Sequence, residues 1–289
     1  MFESSTGEAF EYCRKVTIES TSNFFWAIAT LPPEKRKAVY AVYAFARKCD
    51  DIADSKKEKE KKRLLLNEIK ENLKNIHKIS SSNHESDLYK ANSAVIKKYE
   101  IPVDYFKELV NGVEMDLERK RYHTFDDLKL YCYRVASVVG LILIEIFGYE
   151  KNEARNHAID LGIGMQLTNI IRDVREDYER GRIYIPKRDM KRFDYSEKDL
   201  ANYVMDSNFR SLMNFEADRT REFFDSGENL FPLLPRRARS CPAGLYGIYN
   251  RLLHRMEESN WKVLNGRTNL TTRERLYAVS KQWVKSMMV

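Results

Sequence analysis

Residues 166–177 read QLTNIIRDVRED, and an earlier stretch, residues 47–54, reads RKCDDIAD. Each stretch contains two aspartates four positions apart, as the pairs Asp173/Asp177 and Asp50/Asp54. Positions four apart lie on one face of an α-helix, a single turn from each other. Each pair also sits beside apolar residues, Phe45 in one case and Ile170 in the other. The two stretches therefore predict helices that present paired carboxylates next to an apolar core.

The helical pattern extends over the rest of the 289 residues. We predict helices over residues 9–20, 33–53, 101–118, 125–147, 154–178, 199–224, 241–261 and 272–287, with one or two charged helices between residues 55 and 100 around a break at 80–83. Glycine (11) and proline (7) are scarce, while 43% of the residues are hydrophobic and 32% are charged. This balance, without strand patterns or linkers, predicts an all-α fold in a single domain, residues 1–289.

The net charge of +7 suits an anionic partner, which leaves nucleic acid, a phosphorylated small molecule and an acidic membrane surface as candidates. The densest basic run, residues 56–63, is interleaved with Glu58 and Glu60 and contains no aromatic residue for base stacking. This run predicts a solvated helix face, so we expect no nucleic-acid partner.

Compartment and membrane signals are weak. The four cysteines are widely spaced and form no CxxC pair: Cys13, Cys49, Cys132 and Cys241. The segment at residues 1–13 has no basic region followed by an apolar run, so we expect no signal peptide. The longest apolar stretch, residues 135–148, is shorter than the ~20 residues of a membrane span. These features predict a cytoplasmic protein with reduced thiols, whose membrane contact is peripheral and at the inner face.

The carboxylate pairs predict a metal site. Two carboxylates on one helix face repel each other by a few tenths of a kcal/mol when exposed, and by more when partly buried. A hard cation removes this repulsion, and magnesium is usually held by one or two carboxylates together with substrate phosphates. Extending the two faces backward adds Tyr43 and Arg47 to the first, and Gln166 and Asn169 to the second. The alternative is that the pairs are ordinary surface acids, which most of the 43 acidic residues will be.

Nearly the whole chain resembles the squalene/phytoene synthase family, through residues 21–25, 31–38, 40–54, 114–116, 131–140 and 166–186. Within that family it is similar to bacterial presqualene diphosphate synthases of hopanoid pathways and to bacterial phytoene synthases of carotenoid pathways. The resemblance implies the all-α isoprenoid synthase bundle with a central cavity. It also implies that the two aspartate motifs face each other across this cavity and hold a magnesium cluster bridged by substrate diphosphate.

The resemblance also implies roles for individual residues. The metal-binding set would be Asp50, Asp54, Asn169, Asp173 and Asp177. Diphosphate contacts would come from Arg47, Gln166 and Arg172. The substrate sites would be lined by Ser20, Thr21, Ser22, Asn23, Tyr43 and Tyr249, although family members often carry serine or histidine around Thr21 and Asn23. Tyr131 would act in catalysis beside the four aspartates, by orienting diphosphate or facing a carbocation, while the alternative is a tyrosine of a core helix.

The activity that the resemblance implies is the head-to-head condensation of two farnesyl diphosphates to presqualene diphosphate, with squalene or dehydrosqualene as further products. One alternative is phytoene synthesis from two geranylgeranyl diphosphates. Head-to-tail elongation or cyclisation typically uses a DDxxD motif with a different second motif. A non-catalytic assembly factor of the same fold would lack the metal carboxylates, which this chain keeps.

Other motifs add little to this assignment. The sequence has no dinucleotide-binding fingerprint, but reductive squalene synthases lack one too. The resemblance to hopanoid-type enzymes implies that NADPH is not used, with downstream isoprenoid-pathway enzymes as partners. Gly140, Gly162 and Gly164 lie in no phosphate-binding pattern and predict close helix packing. The segment Tyr184-Ile185-Pro186 after the second motif closes over the site in the family, but by itself it predicts only a loop.

Overall fold

The structure is a computed structural model that describes residues 2, 6–20, 23–78, 87–118 and 120–288, with the backbone alone for Asn23. In chain order its helices are α1 (Gly7–Glu19), α2 (Asn23–Ile28), α3 (Pro33–Asp54), α4 (Lys59–Lys74), α5 (Asp87–Tyr99), α6 (Val103–Glu118), α7 (Phe125–Cys132), α8 (Val138–Phe147), α9 (Ala154–Arg172), α10 (Val174–Glu179), α11 (Lys187–Arg192), α12 (Glu197–Ala201), α13 (Ser207–Glu228), α14 (Arg236–Glu258) and α15 (Thr272–Met288). These ranges contain no strand, only one isolated bridge between Arg121 and Ile183. The all-α prediction is confirmed.

Three predicted helices are interrupted in the structure. Residues 125–147 contain a π-helical turn, Tyr133–Ser137, between α7 and α8. The helix predicted over residues 154–178 breaks at Asp173, whose φ of −101° and ψ of 13° leave the helical region and separate α9 from α10. The helix predicted over 199–224 becomes α12 and α13, because the carboxylate of Asp206 accepts a hydrogen bond from the Phe209 amide at 2.9 Å and starts a new helix.

Other differences are smaller. The short helices α2 and α11 were not predicted, since each spans only six residues and shows little periodicity. The predicted break at residues 80–83 lies outside the described residues. The four cysteines are buried and free of disulfide bonds, in agreement with the expectation of reduced thiols. Lys59 and Arg63, from the basic run, pair with Glu118 on the surface of α4 and α6, as a solvated face would.

Helices α3 and α9, which carry most of the two aspartate motifs, lie in the centre of the bundle. α3 packs against α1, α5, α6 and α8, while α9 packs against α8, α13, α14 and the π-helical turn. The apolar residues Ala38, Val42 and Phe45 of α3 are fully buried, as the sequence pattern predicts. Because α8 contacts both α3 and α9, it holds the two motif helices at a fixed separation.

Small residues allow these central helices to approach closely. A Cβ on Gly162 of α9 would lie 2.7 Å from the Cα of Ser137 in the π-helical turn. The hydroxyl of Ser137 donates to the Ile159 carbonyl of α9 at 2.7 Å. A Cβ on Gly140 would lie 2.9 Å from the Ala158 carbonyl oxygen, and one on Gly164 would lie 2.9 Å from the Phe224 ring. The predicted packing role of these glycines is confirmed.

The apolar segment through α7 and α8 is longer than the sequence analysis expected. Phe125–Phe147 runs as 23 continuous helical residues, and its most apolar 18-residue stretch has a mean hydropathy of 1.8, so by length and composition the segment meets the requirement for a membrane span. A buried core helix meets the same requirement. The apolar stretch extends beyond residues 135–148 because the helix continues N-terminally through the π-helical turn. In this fold α8 packs between α3, α6 and α9, and 56% of the segment's most apolar stretch is buried.

The close contact at Gly162 gives a stability prediction. We expect Gly162→Ala to lower the free energy of unfolding by about 1–3 kcal/mol, because the new methyl group meets backbone atoms of Ser137 that cannot move aside. Gly7→Ala is the matched control, since a Cβ there meets nothing within 4 Å. Urea unfolding of both variants measures the difference, and equal stabilities would contradict the packing argument.

Candidate active site

A cavity of about 620 Å³ lies between the central helices. Its walls come from α3, α8, α9 and α14, and from the segment that leads into α15. Along α3 the lining changes from Val39 and Val42 to Arg47 and Asp50. Along α9 it changes in the same way, from apolar residues near Leu161 to polar ones at the C-terminal end of the helix. The cavity therefore has an apolar part and a polar part.

Most of the predicted substrate-binding residues line this cavity. They are Ser20, Tyr43, Arg47, Gln166, Arg172 and Tyr249, joined by Asp50 and Asn169 from the predicted metal set. The hydroxyl of Tyr43 donates to the Ser20 hydroxyl at 2.9 Å, and the amide of Asn169 donates to the Gln166 side-chain carbonyl at 3.4 Å. The predictions for Thr21, Ser22 and the side chain of Asn23 lie outside the described residues.

The two aspartates of the first motif differ in position, since Asp50 lines the cavity and Asp54 does not. The side chain of Asp50 is exposed to the open cavity, but desolvation by the surrounding protein, followed by the charge of Asp54, raises its pKa to about 7. Asp54 does not line the cavity; it pairs with Arg180 at 3.2 Å and Arg182 at 3.5 Å. Arg47, which the sequence analysis placed on the same face, pairs with the neighbouring Asp51.

The second motif lies at the break between α9 and α10. The carboxylate of Asp173 is 16% exposed and accepts hydrogen bonds from Arg172 at 2.7 Å and from Arg267 at 3.3 Å. Asp177 lies one turn further on and is half-buried. Burial, followed by the charge of Asp173, raises the pKa of Asp177 to about 7. The second motif thus presents one paired carboxylate and one that is disfavoured in its charged form.

Asp116 of α6 connects the two motifs. Its carboxylate accepts hydrogen bonds from the hydroxyls of Tyr184 at 2.6 Å and Tyr131 at 3.1 Å, and lies 3.9 Å from Arg182. The side chain is only 10% exposed, and burial raises its pKa. The charge of Asp116 also raises the pKa of both Asp50 and Asp177. Asp116 is therefore the electrostatic neighbour that both motifs share.

Tyr131 occupies a different position from the one that a direct role in the cavity suggests. It is 5% exposed and is not among the residues that line the cavity. Its ring stacks on Tyr184 with centroids 5.0 Å apart, and its hydroxyl points at Asp116. Tyr184, which the sequence analysis treated as part of a loop, is thus a partner of the aspartate cluster.

Sequence reasoning missed several basic residues of the site. Arg267, Asn269 and Arg275 line the cavity, although they lie far along the chain from either motif. The Nε of Arg275 is buried and has no hydrogen-bond partner in the described part of the chain. Arg182 joins Asp54 to Asp116 from the turn after α10. A single sequence offers no signal that separates these four from the other polar residues of a chain with 50 lysines and arginines.

The carboxylates fit a hard divalent cation, although no three of the described acidic, histidine or cysteine side chains converge on one metal position. The donors are oxygen atoms, which magnesium prefers. Asp50 and Asp177 are disfavoured as anions where they stand, so nearby positive charge would stabilise both. The orphaned Nε of Arg275 in the same cavity suits an anionic ligand. The site therefore combines carboxylates that suit a divalent cation with an arginine that suits an anionic ligand.

The fold and the site together define a class of protein. An all-helical bundle encloses a cavity with an apolar part, and the polar part of that cavity presents arginines, asparagines and Asp50, with the other motif aspartates nearby. Such a cavity accommodates a long apolar chain with a diphosphate head group, as the substrate sites of prenyl-transferring enzymes do.

The chain belongs to the squalene/phytoene synthase family, whose sequence profile matches residues 18–274. It is 35% identical to the 15-cis-phytoene synthase of Synechocystis, over 99% of this chain and 87% of that protein. It is 34% identical to the phytoene synthase of Mycobacterium tuberculosis, over 91% of this chain and 87% of that protein. The protein is therefore a prenyltransferase of the squalene/phytoene synthase type.

Solved structures agree with this family assignment. A dehydrosqualene synthase in complex with a ligand superimposes with a TM-score of 0.89 at 27% identity, over 97% of this chain and 98% of that one. The squalene synthase HpnC from Alicyclobacillus acidocaldarius superimposes with a TM-score of 0.81 at 25% identity, over 88% and 95% of the two chains. The expected isoprenoid synthase bundle is confirmed.

The repulsion around Asp50 predicts a pH-dependent stability. Its folded pKa of about 7 exceeds the ordinary 3.8, so without a divalent cation its effect on stability becomes more unfavourable as the pH rises through this window. We expect Asp50→Asn to raise the free energy of unfolding at pH 8 in EDTA, and to raise it less at pH 5. Urea unfolding at both pH values measures this, with Asp218→Asn, whose side chain is 71% exposed, as control. A gain that is the same at both pH values would contradict the argument.

Proposed function

We propose that this enzyme joins two allylic prenyl diphosphates head to head, with residues 1–289 acting as one catalytic domain. The observation that carries the proposal is the cavity, whose apolar walls along α3, α8 and α9 lead to four arginines: Arg47, Arg172, Arg267 and Arg275. An apolar tail and a diphosphate are the two parts of a prenyl diphosphate. The arginines supply the planar, bidentate donors that bind phosphate groups best.

The metal set that we propose is the one expected from the sequence: Asp50, Asp54, Asn169, Asp173 and Asp177. Magnesium bound by these residues would neutralise the departing diphosphate as a Lewis acid. Asp54 pairs with Arg180, and Asp173 pairs with Arg267, which lines the cavity. Asp116 would contribute indirectly, because it lies beside both motifs and holds Tyr131 and Tyr184 in place.

The arginines bind and orient the leaving group in the first step. The bond between C1 and oxygen of one substrate breaks, and the diphosphate leaves with the electron pair toward Arg47 and Arg172. Donors that are fixed before the reaction stabilise this developing charge without reorganising. Val39, Leu143 and Leu161 line the apolar part of the cavity and exclude water from the allylic cation that remains.

The second substrate supplies the nucleophile. Its double bond attacks C1 of the cation, and loss of a proton closes a cyclopropane ring in the product, which keeps the second diphosphate. Simultaneous alignment of two prenyl chains in one cavity is what makes this reaction fast relative to capture by water. Gln166, Asn169 and Tyr249 face the same cavity as the arginines and are the polar residues proposed to orient the chains.

For chain length we propose farnesyl diphosphate as the substrate and presqualene diphosphate as the first product. The thirty-carbon assignment is supported by the resemblance of residues 114–116 and 131–137 to presqualene diphosphate synthases, and by the superposition on a dehydrosqualene synthase. The specific observation that favours the alternative, geranylgeranyl diphosphate and phytoene, is the 33–35% identity to cyanobacterial phytoene synthases, which weighs at least as much. The two differ in the depth of the tail cavity, where each methyl-sized change discriminates by ~1–3 kcal/mol.

The metal assignment predicts large losses of activity. We expect each of Asp50→Ala, Asp54→Ala, Asp173→Ala and Asp177→Ala to lower kcat by at least about a hundredfold, because each removes a ligand that stabilises the leaving group. Turnover of farnesyl diphosphate at saturating magnesium measures the effect, with Asp218→Ala as the surface control. Wild-type turnover in any two of the four variants would remove the basis for the site.

The substrate assignment has a separate test. Purified enzyme is incubated with farnesyl or geranylgeranyl diphosphate, each with and without NADPH, and the products are identified by mass spectrometry. We expect a thirty-carbon cyclopropyl diphosphate that does not depend on NADPH. A higher kcat/KM for geranylgeranyl diphosphate would establish the forty-carbon alternative and leave the head-to-head mechanism standing.

A further inference from the structure

The outer face of α15 is unusually apolar for a surface. Nine large apolar side chains are exposed among the described residues, and five of them lie on this helix: Leu276, Tyr277, Trp283, Val284 and Met288. They are between 48% and 82% exposed. Large exposed apolar patches on a folded protein indicate a contact surface. We call these five residues the α15 face.

The exposure of the α15 face follows from how the helix packs. Ala278, Val279 and Ser286 lie on the opposite side and are buried against α14 and α2. Packing on that side is close, since a Cβ on Gly247 of α14 would lie 2.7 Å from the Ala278 carbonyl oxygen. The helix is therefore fully anchored through its inner side. Its exposed apolar residues lie largely outside that contact.

Basic residues accompany the α15 face. Arg273 and Lys281 lie on the exposed side of the helix, and neither forms an ion pair with another described residue. Lys285 pairs with Glu228 at one edge of the face. The acid of this helix, Glu274, is held by Arg251 and caps the helix N-terminus through Thr271. The face thus combines aromatic and aliphatic groups with unpaired positive charge.

We propose that the α15 face docks on a lipid bilayer that contains anionic lipids. A tryptophan, a tyrosine and aliphatic side chains flanked by arginine and lysine are the composition of helices that lie in the membrane interface. A second copy of this chain fits less well, because a symmetric contact would set the unpaired Arg273 and Lys281 of one copy near those of the other. The charge pattern therefore favours an anionic lipid surface as the occupant.

The position of α15 relates the membrane contact to substrate supply. This step of the argument rests on the proposed function. Arg275, in the first turn of α15, and Arg267, just before the helix, both line the cavity. A docked α15 therefore connects the cavity to the membrane through a single rigid helix. Prenyl diphosphates with long apolar tails partition into bilayers, so docking would place the enzyme where its substrate is concentrated.

Vesicle sedimentation tests the docking directly and does not depend on activity. Full-length protein is mixed with vesicles of phosphatidylcholine alone, or of an equimolar mixture with phosphatidylglycerol. We expect wild-type protein to bind the mixed vesicles more tightly, and less so in high salt. The double variant Leu276→Ser/Val284→Ser is expected to bind both kinds of vesicle at least about tenfold more weakly than wild type. Leu64→Ser, which alters a 69% exposed leucine on α4, is the matched control and is expected to bind as wild type does.

The charge contribution is tested by Arg273→Glu/Lys281→Glu, which is expected to weaken binding to the mixed vesicles at least about tenfold and to have little effect on binding to phosphatidylcholine vesicles.

Trp283 provides a spectroscopic signal, because its fluorescence emission should shift to shorter wavelength on docking. Trp283→Phe should abolish that shift while binding persists. All variants are expected to turn over detergent-dispersed substrate at the wild-type rate, so a failure of docking is distinguishable from a failure of the proposed function.

Two results would overturn the proposal. The first is unchanged vesicle binding by the Leu276→Ser/Val284→Ser variant in a protein that remains folded by circular dichroism. The second is a wild-type dimer in sedimentation velocity that this variant converts to monomers without any effect on vesicle binding, since the α15 face would then contact a second copy of the chain.

Discussion

Negative charge buried among helices is the constraint around which this protein is organised. Asp50, Asp116 and Asp177 come from three different helices, and desolvation together with neighbouring carboxylates raises the pKa of each, although Asp50 is open to the cavity. Arg182 partly compensates this charge by pairing with Asp54 and Asp116. The turn after α10 must therefore lie against α3 and α6. A site that binds a cation and a diphosphate is less stable without its ligands than an apolar core of the same size would be.

The packing of the central helices supplies the stability that this site requires. Glycine at position 162 and the small Ser137 let α9 approach the π-helical turn closely, and α8 fills the space between α3 and α9. A π-helical turn also shifts the register of the residues after it relative to those before it. Tyr131, before the turn, can consequently face Asp116, while Val139 and Leu143, after it, face the cavity.

The cavity and the α15 face share one feature, since each combines apolar side chains with positive charge. A molecule with an apolar chain and an anionic head group requires apolar side chains next to cationic ones. The cavity lining of α3 and of α9 changes from apolar residues to arginine along each helix. Arg267 and Arg275 line the cavity, and they lie just before α15 and in its first turn. The chain therefore passes directly from the cavity wall into the helix that carries the α15 face.

Local periodicity determined what could be read from the chain by itself. The spacing of Asp50 from Asp54 places this pair on one face of α3, whereas the break at Asp173 leaves Asp173 at the cap of α10 and Asp177 one turn further on. The same 3.6-residue period locates α3 and α6 to within a few residues, and the start of α9. Tertiary structure decided the rest, because Tyr184 and Asp116 are 68 positions apart and Arg267 and Asp173 are 94 apart. Such contacts depend on how helices pack and where loops turn, and the periodicity of a helix carries no information on either. For the same reason the sequence of α15 does not show which of its sides is exposed.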